Sequence, residues 1–110
     1  MEDFKLRTIK NLTKEDGRVY VYLASEEIGD DFFAKAESEG FTFGDGTKPT
    51  EKHYSEIIAI NHDCTLNYVG ANGYIAFGSG AKTIGEEKLI RVDYEKYISG
   101  DKYYLYSGKK

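Results

Sequence analysis

RVYVYLASEEIGDDFFAKAESEG, residues Arg18 to Gly40, joins the clearest strand pattern in the chain to its clearest helix pattern. In its first part Val19, Val21 and Leu23 fall on one face, and Tyr20 and Tyr22 on the other. Alternation of period two, with β-branched and aromatic residues, is the signature of a half-buried strand. Ser25 then supplies a hydroxyl able to cap a helix, and Glu26 and Glu27 put negative charge in its first turn, where the helix dipole favours it. Ile28, Phe32 and Ala36 recur every four residues as an apolar stripe that Phe33 widens. Gly40, just after Glu39, can take the left-handed conformation that ends a helix. Gly29 interrupts the pattern and leaves open a later start at Asp30.

Outward from this unit, Phe4 to Lys10 alternates weakly and reads as a strand, followed by a polar connection from Asn11 to Gly17. Downstream, GFTFGDGTKPT, Gly40 to Thr50, holds the chain's sole proline and three of its glycines. It reads as a helix stop, an extended Phe41-Thr42-Phe43 with Phe41 or Phe43 turned inward, and a glycine bend closed by Pro49. Glu56 to Ile60 and Thr65 to Val69 are rich in β-formers, and Asn61-His62-Asp63-Cys64 between them predicts a hairpin. Gly70 to Gly73 reads as a turn, and Tyr74 to Phe77 fits a strand or a helical turn equally. Ser79 to Glu87 is loop-like and Lys88 to Val92 a strand. Asp93 then caps a short helix, Tyr94 to Ser99, stopped by Gly100. From Lys102 onward the tail is either an edge strand or a mobile end.

This order predicts the α+β class: a small antiparallel or mixed β-sheet, one main helix over about residues 25–39 packed on one face, and a short C-terminal helix. A chain of 110 residues fits one domain, with residues 1–17 peripheral. A single cysteine excludes an internal disulfide framework, no apolar run reaches bilayer length, and Met1 to Lys5 lacks the plan of a signal peptide. Cytoplasmic localisation is the expectation. A net charge of −4 argues against general nucleic-acid binding. Ten tyrosines suit half-buried strand faces and interfaces.

Familiar chemical motifs fail one by one. A phosphate loop needs G-x-x-x-x-G-K-[ST] leading into a helix, whereas Lys48 stands between Thr47 and Pro49, and these glycines lead out of one. GSGAKT, Gly78 to Thr83, has Ala81 where glycine must precede the lysine. His62, Asp63 and Cys64, with His53 nearby, fall short of the two spaced pairs of a closed zinc site. No metal and no cofactor is implied. Cys64 lacks the surroundings of an activated nucleophile, and Glu56, alone among apolar neighbours, is the best single candidate for a functional carboxylate. No catalytic residue is assigned.

AESEGFTFGDGTKPT (Ala36 to Thr50), EIIAINHDCTLNYVG (Glu56 to Gly70), GYIAFGSG (Gly73 to Gly80) and IRVDYEKYISG (Ile90 to Gly100) together resemble a family of short Firmicutes proteins without assigned activity, often encoded in phage or other mobile elements. The resemblance runs from Val19 to Gly100. It implies a cytoplasmic accessory protein and carries over no site residues.

The resulting expectation is a non-enzymatic protein-interaction module that engages a host or mobile-element protein. Its contact residues would be Glu26, Glu27, Asp30 and Asp31, with Tyr20 and Tyr22. The alternative is a small anionic-ligand or nucleotide-binding protein using Lys48, Lys82 or Arg91. An exposed edge strand and the tyrosine-rich tail are compatible with a homodimer.

Overall fold

The computed structural model of the chain describes residues 7 to 105. Its centre is β1 (Arg18–Tyr22), followed by α2 (Glu26–Ser38), while a four-residue helix, α1 (Ile9–Leu12), precedes both. The strands β2 (Thr42–Phe43), β3 (Ile57–Ile60) and β4 (Thr65–Tyr68) come next, with a 3-10 turn at Pro49–Glu51 between the first two. The chain then forms α3 (Gly70–Ser79), β5 (Thr83–Ile84), β6 (Glu87–Asp93) and α4 (Tyr94–Ile98).

The fold is α+β, with a six-stranded mixed sheet in the order β2-β4-β3-β1-β6-β5. β1 runs antiparallel to β3, with Val19 opposite Ile60, and parallel to β6, with Val19 beside Ile90. β3 and β4 form the expected hairpin, and Cys64 takes the left-handed conformation (φ 67°) that closes its turn. β2 lies parallel to β4.

Alternation along β1 sends its two halves to different cores. Val19, Val21 and Leu23 pack beneath Phe32, Phe33 and Ala36 of α2, with Ile58, Ile60, Leu66 and Val92 from neighbouring strands. Full burial of each large apolar side chain stabilises by about 1.5–3 kcal/mol, and Phe32 meets Tyr94 edge-on at 5.1 Å. Helix α2 begins and ends as the sequence indicates: Ser25 Oγ accepts from the Ile28 amide at 3.3 Å, and Gly40 has φ 94°. Phe41 and Phe43 are both buried. The helix starts at Glu26 and runs through Gly29, so the later start at Asp30 is not taken. Gly29 is there for a close approach: a Cβ on it would stand 2.5 Å from Cδ1 of Tyr54.

Three expectations are corrected. Residues 9–12 form a helix in place of the weak strand, and Ile9 and Leu12 are core residues within the segment read as peripheral. The cause is tertiary: the Glu39 carboxylate accepts from the amides of Ile9 (3.0 Å) and Lys10 (2.7 Å), capping a helix too short to form alone. The first part of that expected strand, Phe4 to Leu6, lies outside the described residues. Gly70 to Ser79, read as a turn and an ambiguous tetrapeptide, is one helix. It lies on the second face of the sheet, where Phe77 packs with Tyr20, Ile57, Ala59 and Leu89. Helices therefore cover both faces where one was expected. Finally, Thr83 and Ile84, read as loop, pair with Glu87 and Lys88 as β5.

At the C-terminal end, Asp93 Oδ1 accepts from the Lys96 amide and caps α4 as read. Tyr104 packs against the core, and Leu105 bridges Val92 in antiparallel fashion. The tail beyond residue 105 lies outside the described residues.

Candidate functional site: a groove at one edge of the sheet

The stretch after α2 builds one side of a shallow, open groove. Strand β2 pairs only with Thr65 and Leu66 of β4, so Asn67 and Tyr68 run on past its end. The chain leaves β2 through Gly44, Asp45 and Gly46, with φ 87° at Gly46, and the amide of Gly46 bonds back to the Phe43 carbonyl at 2.8 Å. The space between this bend and β4 is a groove of about 410 Å³ lined by Phe43, Gly44, Asp45, Lys52, Asn67 and Tyr68.

Its floor is aromatic. The rings of Phe43 and Tyr68 have centroids 5.3 Å apart and are tilted by 47°. Phe43 is held from below by Phe33, edge-on at 5.9 Å, and the Tyr68 hydroxyl donates to the His53 carbonyl at 2.8 Å. Tyr68 nevertheless keeps 42% of its surface exposed. One wall is a fixed carboxylate. Asp45 Oδ1 accepts from the Thr47 amide at 2.9 Å, and Oδ2 lies 3.0 Å from Lys52 Nζ. Hydrogen bonds from the Thr47 backbone and hydroxyl, then the one from Lys52, hold the Asp45 carboxyl down to about 2. Lys52 Nζ stands 5.0 Å from the Phe43 centroid and 6.0 Å from that of Tyr68. A cation over aromatic faces beside a carboxylate is favoured by the ring quadrupoles and by charge.

The residues singled out in the sequence lie elsewhere. Lys48 and Lys82 are exposed and separate, and the Lys82 carbonyl accepts from the Leu89 amide at 2.9 Å. Arg91 is half-buried, donates to the Phe77 carbonyl at 2.8 Å and lies 5.6 Å from that ring. It also borders a cleft of about 250 Å³ along the outer edge of β6, together with Lys88, Tyr104 and Glu15. Neither Lys48 nor Lys82 lines that cleft, so the three cations do not converge.

Glu26, Glu27, Asp30 and Asp31 are exposed at the start of α2, and Asp31 Oδ2 accepts from the Tyr94 hydroxyl at 3.0 Å. Tyr20 is 4% exposed beneath α3, and Tyr22 is half-buried with its ring 6.2 Å from Phe77. The two tyrosines thus face the second core, away from the acidic helix start on the other side of the sheet.

His62 is exposed with Nδ1 2.7 Å from the Thr13 carbonyl, and His53 is exposed at the rim of the groove through its backbone. Cys64 is half-buried against the core, and Glu56 is exposed while its carbonyl accepts from the Leu23 amide. Among the described residues no group of three or more His, Cys, Asp or Glu side chains could hold a metal ion, and no helix is long and apolar enough to cross a membrane.

Asp45, Lys52, Asn67 and Tyr68 were not singled out by sequence reasoning. The one local signal was Asp45 between two glycines, which marks a bend but not its partners. Comparisons of the chain with protein-family models, with curated proteins and with solved structures return no match.

Proposed function

We propose that this chain is a non-enzymatic protein-interaction module that binds through the groove at the β2–β4 edge. One observation carries the reading. The groove sets an exposed tyrosine ring, backed by Phe43, beside a carboxylate on an open surface, and aromatic rings are enriched at contact surfaces. Its one amine and one carboxylate, Lys52 and Asp45, are held against each other as an ion pair at 3.0 Å, and on this reading their role is to bind. The exposed acids Glu26, Glu27 and Asp30 add a charged face for a partner of opposite sign. A cytoplasmic accessory role in a phage or other mobile element fits the resemblance in sequence.

A photo-crosslinking residue in place of His53, exposed at the rim of the groove, tests the reading directly and leaves Tyr68 intact. In lysate of a bacterial host it is expected to yield a discrete covalent adduct that unlabelled wild-type protein suppresses. The same residue in place of Lys14, exposed in another part of the chain, is expected to give none. Absence of any adduct from position 53 at low and moderate salt overturns the proposal.

A further inference from the structure

The groove already holds a ligand of a kind: the ammonium of the chain's own Lys52. Its position shows what chemistry the site accepts, because three groups converge on that nitrogen. They are the Asp45 carboxylate at 3.0 Å, the Phe43 ring at 5.0 Å and the Tyr68 ring at 6.0 Å. Carboxylate and ring faces are both complementary to positive charge. The groove stays open to solvent with Lys52 in place, so a second cation can approach the same groups. The Lys52 side chain is partly exposed, at 23%, on a flexible stem that can swing out.

We propose that the groove recognises an arginine side chain of a partner protein, which displaces the Lys52 ammonium from Asp45 and the two rings. This inference rests on the interaction reading above and specifies the partner's chemistry. Arginine outcompetes the resident lysine for physical reasons. A guanidinium is planar, stacks on aromatic faces, sheds water more readily than an ammonium and offers several donors in a fixed fork. Those donors can take over the Asp45 Oδ2 acceptor that Lys52 Nζ now uses, with the Asn67 side chain also among the groove's lining. Lys52 is then a self-cap. It keeps Asp45 paired in the free protein, and displacement returns it to water, where a lysine is well solvated.

The test is amide-resolved NMR titration of the full chain with a blocked Gly-Arg-Gly peptide and its neutral citrulline counterpart. The arginine peptide is expected to shift the amides of Gly44, Asp45, Asn67 and Tyr68, and the citrulline peptide to leave them unmoved. Lys52→Met, which keeps the aliphatic stem and removes the competitor, is expected to tighten binding about fivefold, and Asp45→Asn to weaken it about tenfold. Lys52→Gln serves as a second uncapped variant if the methionine protein folds poorly.

Equal shifts from both peptides, or no shift in either uncapped variant at millimolar peptide, overturn the inference. A His53 crosslink that persists undiminished in excess arginine peptide overturns it too, and leaves the interaction reading standing. Loss of the crosslink altogether instead removes that reading.

Discussion

Cδ1 of the Tyr54 ring lies where a Cβ on Gly29 would have to be, 2.5 Å from that position. The ring packs against the core, and its hydroxyl donates to the Leu23 carbonyl at 2.6 Å, tying the start of α2 to the end of β1. Alanine for glycine inside a helix ordinarily stabilises by up to about 1 kcal/mol. Here Gly29→Ala is expected to lower stability by about 1–3 kcal/mol, because the aromatic ring must move out of a packed site. Gly78, also helical, has nothing within 4 Å of its Cβ position. Gly78→Ala is expected to raise the urea midpoint, and the opposite signs of the two changes are the check.

Glu39 holds α1 in place from outside it. Its two carboxylate oxygens accept from the amides of Ile9 and Lys10, while Lys35 Nζ sits 3.5 Å away. Glu39→Ala leaves both amides without this cap and is expected to cost about 1–2 kcal/mol. Hydrogen exchange should show the loss locally, with protection falling at residues 11–14 before the sheet amides change. Uniform loss of protection throughout the molecule would contradict this account.

Arg7 joins the two ends of the described chain. Its Nη1 donates to the carbonyls of Tyr97 (3.2 Å) and Asp101 (2.7 Å), and its guanidinium lies 5.3 Å and 4.8 Å from the ring centroids of Tyr97 and Tyr104. Arg7→Ala is expected to cost about 1–2 kcal/mol by chemical denaturation. Arg7→Lys is expected to recover less than half of that, since an ammonium cannot stack flat while reaching both carbonyls.

Alkaline pH is expected to unfold the protein earlier than its charge alone suggests. Burial, reinforced by Tyr104, pushes the Tyr97 hydroxyl up to about 12. Burial and the bond to Asp31 raise Tyr94, and burial followed by Glu56 raises Tyr54. In the unfolded chain each tyrosine ionises near 10. Between about 10 and 12 the folded state therefore holds more protons than the unfolded one, so stability falls as pH rises. Denaturation midpoints across this window should decline, and more gently in Tyr97→Phe. A midpoint constant up to pH 12 would rule the account out.

Elements specified by neighbouring residues were legible in the sequence. Ser25 with Glu26 and Glu27 marked the start of α2, Gly40 its end, Asn61 to Cys64 a hairpin, and Asp93 the cap of α4. Elements specified from a distance were not. α1 depends on Glu39, some thirty positions later. α3 contains Gly70, Gly73 and Gly78, whose propensity opposes a helix; it persists because Phe77 has the second sheet face to pack on. The groove belongs to the same class, since it joins a bend at 44–45, a lysine after a 3-10 turn and the end of β4. No spacing rule links those three segments: the parallel pairing of β2 with β4 joins the first and the last, and the Lys52–Asp45 ion pair adds the lysine.

The parallel partnership of β1 with β6 also sets a timetable for synthesis. Val19 leaves the ribosome about seventy residues before its neighbour Ile90 is made. Until then β1 can pair with β3 but presents one bare edge, and α2 covers a core that still lacks Val92, Tyr94 and Tyr97. Closing so distant a pair is entropically slow, and an unfinished sheet edge is open to pairing with other nascent chains. The segment from β6 to α4 therefore acts as the clasp of the fold. A stop codon before Glu87 is expected to leave an aggregating fragment with no independently folded smaller domain.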